Sequence, residues 1–474
     1  MKITFMVNGG SMTTLPEARR HASSRSGLEH HCKFLYISPV KVIMRRAGGL
    51  CVLLSVFTGS VGLHAEEDSW WQFRGPSGNG HSDSKNLPVE WKESDITWKT
   101  QIHDRGWSSP VVWGNQVWIT TATKDGGKLF AVCVDKDTGK IIHDIHVFDV
   151  TSAMLITSAN TYATPTCAIE EGRVYVHYGT YGTACIDTRT GAILWKRRDL
   201  KCDHERGAGP ASSLTLVGDY LVFHVDGRDV QYVIALRKLT GETAWKTDRS
   251  IDYSAIPVHH RKAYGMPVLI PRGKKTQLVG VGGRGLFSYD PATGTELWKM
   301  RHRGWSIAPR PVYGDGLLFA LIDRDDPELW AIRPDGVGDV TDSHIVWRET
   351  KRMPERSSPL FVNGLLFVVT RNGIASCLEG STGKVCWQNR LKGAYSASPI
   401  YANGLIYFFG EDSVCTVISA GRDFNVVSTN SLSEEQLMAT PAVVDRSAFI
   451  IRTDTHLYRL SGRTHSEPKK KSTD

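Results

Sequence analysis

The ten residues Asp290 to Lys299, DPATGTELWK, constrain the fold more than any other stretch, because they recur. DTRTGAILWK runs from Asp187 to Lys196, LRKLTGETAWK from Leu236 to Lys246, EGSTGKVCW from Glu379 to Trp387, and DKDTGKII, without the tryptophan, from Asp135 to Ile142. Trp347 follows a longer, aspartate-rich version, RPDGVGDVTDSHIVWR. One such stretch would read as a candidate site; its repetition reads as a structural unit.

A second signature precedes each turn: a small residue, a proline, then a short apolar run. Its copies are SSPVVW (from Ser108), ATPTCA (Ala163), GPASSL (Gly209), GMPVLI (Gly265), APRPVY (Ala308), SSPLFV (Ser357), ASPIYA (Ala397) and ATPAVV (Ala439). Eight copies at intervals of roughly 40 to 57 residues, all with strand-like content, mark a propeller or a related array. After each proline strand comes a Gly, Asn or Asp turn and another apolar run, as in WGNQVWIT or ANGLIYFF, which is a hairpin signal. A third strand leads into the D-x-x-T-G turn and a fourth leaves it, so the unit is a four-stranded antiparallel blade.

Within the turn the aspartate accepts backbone N–H groups two residues on, and the glycine supplies positive φ. This assigns Gly139, Gly191, Gly241, Gly294 and Gly383 to turns. It puts Trp195, Trp245, Trp298, Trp347 and Trp387 on outer strands, each packing against a neighbouring blade. The last copy, from Ala439, lacks a fourth strand, and DITWKTQI, Asp95 to Ile102, supplies one carrying Trp98. The expectation is an all-β, eight-bladed β-propeller closed by its N-terminal strand, with seven blades as the alternative.

Residues 1–65 are set apart from the fold. Arg45 and Arg46 precede an apolar run, Leu50 to Leu63, and small residues ending at Ala65, the layout of a secretory signal peptide. The run is shorter than the ~20 residues of a membrane span, and Met44 is an alternative start. The leader holds eight Lys and Arg against two Asp and Glu, so a chain of net charge +8 falls to about +2 without it. A basic nucleic-acid binder is therefore not indicated. Residues 66–94 form a lead-in segment, 95–462 the propeller, and 463–474, ending EPKKKSTD, a disordered basic tail.

Cys133, Cys185 and Cys377 occupy one repeat position, two residues before the turn, where Ser288 stands in another copy; this reads as a small buried strand position. Cys377 and Cys386 face one another across a turn, which leaves a disulfide open. No C-x-x-C and no histidine cluster with zinc spacing is present.

The repeated D-x-x-T-G-x-x-x-W turn with the small-Pro strand resembles the repeat of the PQQ-like, quinoprotein-type β-propellers over residues 95–462. WWQFRGPSGNG, Trp70 to Gly80, resembles the segment that precedes the propeller in secreted, uncharacterised members. The resemblance implies three functions. A quinoprotein dehydrogenase would hold pyrroloquinoline quinone (PQQ) and Ca²⁺ in its central channel; several such enzymes carry an adjacent Cys-Cys pair that is missing here, and no Glu, Asn and Asp set can be assigned. An outer-membrane assembly scaffold would need a lipid-acceptor cysteine, yet Cys51 lies inside the apolar run. The preferred expectation is an exported, periplasmic or extracellular, non-catalytic propeller. It would bind a protein, polysaccharide or small ligand through one face, as a monomer, without cofactor, metal, nucleic acid or membrane span. Neither an H-R-D loop nor a D-F-G stretch is present, so phosphoryl transfer is rejected.

One echo lies outside the blade template. HDRGWSSP, from His103, and RHRGWSIAP, from Arg301, both enter a proline strand with Arg-Gly-Trp-Ser. Arg105, Trp107, Arg303 and Trp305, joined by Arg310 and Arg356 on equivalent links, are the candidate stacking and anion-binding surface; the bland alternative is packing between blades, with arginine stems covering the indoles. The carboxylates of LIDRDDPELW read as a solvated loop, VGVGGRG as a glycine strand turn, and His259 and His260 as side chains pointing opposite ways on a strand.

Overall fold

In the turn copies that begin with aspartate, the aspartate and glycine act together. Asp187 Oδ1 accepts from the N–H groups of Arg189 (3.0 Å) and Thr190 (2.7 Å) and from the Thr190 hydroxyl (2.8 Å). The N–H of Gly191 then closes on the Asp187 carbonyl at 2.9 Å. The five turn glycines have φ between 72° and 74°, a region where a side chain is strained. The structure, a computed structural model, describes residues 69–204, 209 and 212–462; the leader, Met44 and the basic tail lie outside them. All described residues belong to one unit, Gly59–Asp474.

Eight antiparallel sheets follow in chain order. Blade 1 comprises Val111–Trp113, Gln116–Ala122, Lys128–Asp135 and Ile141–Asp149. The next six run from inner strand to outer strand as Ala168–Glu170 to Ile193–Arg197, Thr215–Val217 to Thr243–Asp248, Val268–Arg272 to Glu296–Arg301, Val312–Gly314 to Ile345–Glu349, Leu360–Val362 to Val385–Arg390, and Ile400–Ala402 to Val426–Ser431. Blade 8 takes Ala442–Val444, Ala448–Arg452 and His456–Ser461 from the C-terminal part and its outer strand, Ile96–Gln101, from the N-terminal part. The ring is closed as the missing fourth strand predicts.

The outer-strand tryptophans are pegs between blades. A Cβ at Gly139 would lie 2.7 Å from the Trp98 ring; Gly241 stands in the same relation to Trp195, Gly294 to Trp245 and Gly383 to Trp347. The indole N–H of Trp98 donates to the Lys136 carbonyl at 2.8 Å, and those of Trp195 and Trp347 make the same bond to Lys238 and Gly380. In blade 1 His143 takes the peg position, over Gly191, with Nε2 on the Thr188 carbonyl at 3.2 Å. Trp298 differs. The long segment after blade 5's third strand sends Gly338–Asp339 back to pair in parallel with Trp298 and Lys299, so Trp298 is 1% exposed and bonds Gln277 at 2.8 Å instead.

Cys133, Cys185 and Cys377 stand across from His143, Trp195 and Trp387, fully buried, with Ser288 across from Trp298. Small residues there make room for the ring opposite. Cys377 and Cys386 are free thiols. The apolar clusters each join consecutive blades, for instance blades 4 and 5 through Val281, Met300, Leu318 and Trp330.

The lead-in segment occupies the middle of the ring. Trp70 exchanges two 2.9 Å backbone bonds with Val112 of blade 1, Ile169 of blade 2 donates to the Trp71 carbonyl at 3.0 Å, and Tyr401 of blade 7 to that of Gly80 at 2.9 Å. His81–Ser82 pairs in parallel with the inner strand of blade 7, and His81 Nε2 donates to the Phe361 carbonyl of blade 6 at 2.6 Å. Only a segment lying across the centre meets inner strands from so many sides. It then leaves past the first hairpin turn of blade 8, where the Ser84 hydroxyl donates to the Arg446 carbonyl, and feeds the outer strand Ile96–Gln101.

Candidate functional site

Antiparallel order places the links between blades at the same end as each blade's second hairpin, and the D-x-x-T-G turns at the opposite end. Bonds such as Arg105 N–H to the Ala122 carbonyl (3.0 Å) and Arg284 N–H to the Gly304 carbonyl (2.9 Å) tie links to those hairpins.

Where each link enters its inner strand, a hydroxyl ring surrounds the centre. Ser109 N–H donates to Thr166 Oγ1, Thr166 N–H to Ser213 Oγ, Ser358 N–H to Ser398 Oγ, Ser398 N–H to Thr440 Oγ1 and Thr440 N–H to Ser109 Oγ, all at 2.9 to 3.0 Å. The residue two before the inner strand carries each hydroxyl, so in blade 2 the structural equivalent of Ser109 is Thr166. Aligning on proline alone puts Thr164 there, a register error of two residues, because Pro110 stands one residue before its inner strand and Pro165 three before.

Two positions break the ring, Met266 and Arg310. Arg310 donates its own N–H to Ser358 Oγ at 3.0 Å and turns its guanidinium onto the lead-in segment, reaching the carbonyls of Phe73 (3.2 Å) and Gly78 (3.3 Å). It is buried, so it lies at the centre and not on the outer surface of the link end.

The other candidate residues separate. Trp107 is buried, with its backbone N–H on the Ala163 carbonyl at 3.0 Å, and the Arg105 guanidinium stands 5.8 Å from its ring centroid. Half-buried Trp305 packs against His259 (5.7 Å) and His260 (4.8 Å). Arg303 beside it is exposed, and its carbonyl accepts from Arg284. The two Arg-Gly-Trp-Ser links belong to blades 1 and 5, opposite one another in a ring of eight, so the structure does not bring their tryptophans together. His259 and His260 correct the strand reading. They sit in a 3₁₀ turn, Val258–His260, begun by Pro257, and their rings are 4.1 Å apart on the same side.

Arg356 lies in a groove of about 1220 Å³ at the link end of blades 5, 6 and 7. Arg324, Arg352, Arg356, Arg371 and Arg390 line it, against Asp325, Asp326 and Glu355. Arg356 and Arg371 share one carboxylate, Glu411, at 3.7 and 3.5 Å. Burial and the neighbouring Arg371 lower the Arg356 guanidinium. The carboxylates of LIDRDDPELW supply one rim as an exposed hairpin loop, and VGVGGRG forms the Gly283–Arg284 turn of blade 4.

Sequence reading missed a buried group in blades 2 and 3. His177, Cys202, His204 and His224 surround a void of about 10 Å³, and Cys202 Sγ is 3.1 Å from His204 Nε2. Burial, then the His204 charge, takes His177 down to about 3; burial, then Lys262, takes His204 to about 4; burial pushes the Cys202 thiol up. All three are neutral near pH 7, which does not suit a thiolate nucleophile. Among the described residues no group of three or more His, Cys, Asp or Glu side chains is placed to hold a metal ion, and no helix is long and apolar enough to cross a membrane.

The sequence matches the family described as "Outer membrane protein assembly factor BamB" over residues 83–247 and 336–423, more than half of the chain. No curated protein is detectably similar. Solved structures with the same fold include BamB from Moraxella catarrhalis, with 13% identity over 77% of this chain and 99% of that one and a TM-score of 0.53. A europium-containing methanol dehydrogenase shares 13% identity over 83% and 91%, with a TM-score of 0.62. The quinohemoprotein alcohol dehydrogenase from Comamonas testosteroni shares 10% over 84% and 81%, with a TM-score of 0.58. At such identities these structures establish the fold alone. Eight four-stranded blades, the recurring Asp-Gly-Trp joint and the family match together establish that this chain belongs to the PQQ-like β-propeller family.

Proposed function

We propose that this chain is an exported, non-catalytic propeller that binds a protein partner through its link end, in the groove across blades 5, 6 and 7. The observation that carries this reading is the groove's charge: five arginines against three carboxylates, with two of the guanidiniums sharing a single additional carboxylate, Glu411. Such a surface suits an extended segment bearing Asp or Glu side chains, which arginine engages through paired hydrogen bonds. The family description, an assembly factor, favours a protein partner over a polysaccharide. Export rests on the leader, which lies outside the described residues.

A PQQ and Ca²⁺ centre does not fit the residues present. The middle of the ring is filled by the lead-in segment and holds the guanidiniums of Arg74 and Arg310, which repel a cation.

The test compares the proteins captured by the wild-type chain with those captured by Arg356→Glu/Arg371→Glu and by Trp107→Ala/Trp305→Ala. A specific partner lost from the first variant and kept by the second supports the groove. Loss from the second variant alone would move the site to the links, and dye-linked alcohol oxidation after incubation with PQQ and Ca²⁺ would replace the reading with the dehydrogenase.

A further inference from the structure

Among the described residues, the two arginines at the centre of the ring have no counter-charge. Arg74 is fully buried, and none of Nε, Nη1 and Nη2 has a partner. Arg310, 2% exposed, gives Nη1 to two carbonyls and leaves Nε unpartnered. Among the described residues, the charge that acts on the Arg74 guanidinium is that of Arg310. Burial, with Arg310, brings Arg74 down to about 9, and burial brings Arg310 to about 10, so both remain cationic at neutral pH. Proteins rarely leave a buried charge unpaired, still less two like charges side by side.

The surroundings are shaped around these heads. Gly78 and Gly80 both have positive φ; a Cβ at Gly78 would fall 1.7 Å from Arg310 Nη1, and one at Gly80 would fall 2.8 Å from Arg74 Nη2. Buried Gln72 Oε1 is also without a partner, while its Nε2 donates to the Pro76 carbonyl at 2.8 Å. The one histidine acted on by Arg74, His81, is held below its ordinary value, by burial first.

We propose that the centre of the propeller binds one compact oxyanion between the guanidiniums of Arg74 and Arg310, and that this anion fixes residues 70–82 inside the ring. A guanidinium presents a planar fork of donors that matches the oxygens of sulfate, phosphate or a carboxylate. Closure of both heads from solvent excludes a multi-ring ligand. The site is separate from the link-end groove and stands or falls without it.

Full-length protein is titrated with sulfate, phosphate and acetate at constant ionic strength, by calorimetry and by thermal unfolding. The expected result is saturable binding of one anion per chain, with a rise in Tm that levels off. Arg74→Met should unfold at a higher temperature than wild type in anion-free buffer, yet bind at least tenfold more weakly. A purely structural arginine would not give those opposite signs. Arg310→Ser restores the hydroxyl found at six other ring positions, so it should fold and lose the binding likewise. Ion chromatography of the anion released on denaturation separates the sources, since sulfate or phosphate marks an inorganic occupant and a carboxylate a small organic acid. Absence of saturable binding to any of the three anions, or an unchanged response in both variants, would overturn the proposal.

Discussion

Closing the ring depends on the contact between Trp98 and Gly139, and the structure gives the size of that dependence. Trp98 is 9% exposed and donates to the Lys136 carbonyl. Trp98→Ala removes the ring and leaves that carbonyl short of a donor, costing ~3 to 5 kcal/mol for the cavity and about 1 for the bond. Gly139→Ala meets two penalties: φ of +72°, about 1 to 2 kcal/mol, and a Cβ 2.7 Å from the indole. Gly114 in the same blade has φ +57° and nothing within 4 Å of its virtual Cβ, so Gly114→Ala reports the backbone penalty alone. Urea unfolding followed by circular dichroism should rank Gly114→Ala at about 1 kcal/mol, Gly139→Ala at ~3 or more, and Trp98→Ala at ~4 to 6. With the indole gone, the overlap at Gly139 disappears. In the Trp98→Ala background Gly139→Ala should therefore fall to about the Gly114→Ala cost, a coupling of at least ~2 kcal/mol. Equal costs for Gly139→Ala and Gly114→Ala, or strict additivity in the double variant, would refute the peg.

Acid unfolding should occur in two windows. Burial opposes ionisation of Glu435, but hydrogen bonds from Thr453 and Lys99 outweigh it and hold the carboxyl down to about 2; its stabilisation is present above pH ~4.5 and lost as pH falls toward 2. His177 and His302, both at about 3, and His204, at about 4, are depressed by burial, so stability begins to fall below pH ~6.5, where the unfolded chain takes protons the native core refuses. Glu435→Gln should lower Tm at pH 7 and flatten only the lower window; a profile parallel to wild type would contradict the assignment. Arg249 grips both oxygens of Asp226 at 3.0 and 2.8 Å with neither side chain exposed, so Asp226→Ala should cost ~3 to 5 kcal/mol, and Asp226→Leu/Arg249→Met should unfold at a higher temperature than Asp226→Ala. Gln277 Oε1 serves the Trp298 indole and the Ser288 hydroxyl while Nε2 serves the Pro334 carbonyl, so Gln277→Leu should lower stability by about 3 kcal/mol, read from the urea midpoint.

The blades were legible because their signals are local. The Asp187 to Gly191 turn closes within five residues and its tryptophan follows at a fixed spacing, and the small-Pro strand recurs eight times, so counting its copies counts the blades. The missing fourth strand was legible for the same reason: Ala439 to Gly462 has one strand too few, and Trp98 has one strand too many. The centre was not legible, since Arg74 and Arg310 are 236 residues apart and meet only once the ring is closed. A signal was available for part of it. Ser or Thr two residues before six of the inner strands marks the hydroxyl ring, and Arg310 stands out as the charged exception, but proline drew the alignment away in blades 2 and 3. His259 and His260 were misread because Pro257 begins a 3₁₀ turn where the apolar pattern suggested a strand.

Binding through the link end is tested most directly by placing a photoreactive side chain at single positions and crosslinking in the producing cells. Lys351, Asn372 and Arg390 sample the groove end, and Leu239 and Ser381 sample the D-x-x-T-G end; all five are exposed. One discrete adduct from the groove positions, absent from the other two and lost in Arg356→Glu/Arg371→Glu, is the predicted result. Adducts from both ends alike, or from neither, would contradict it.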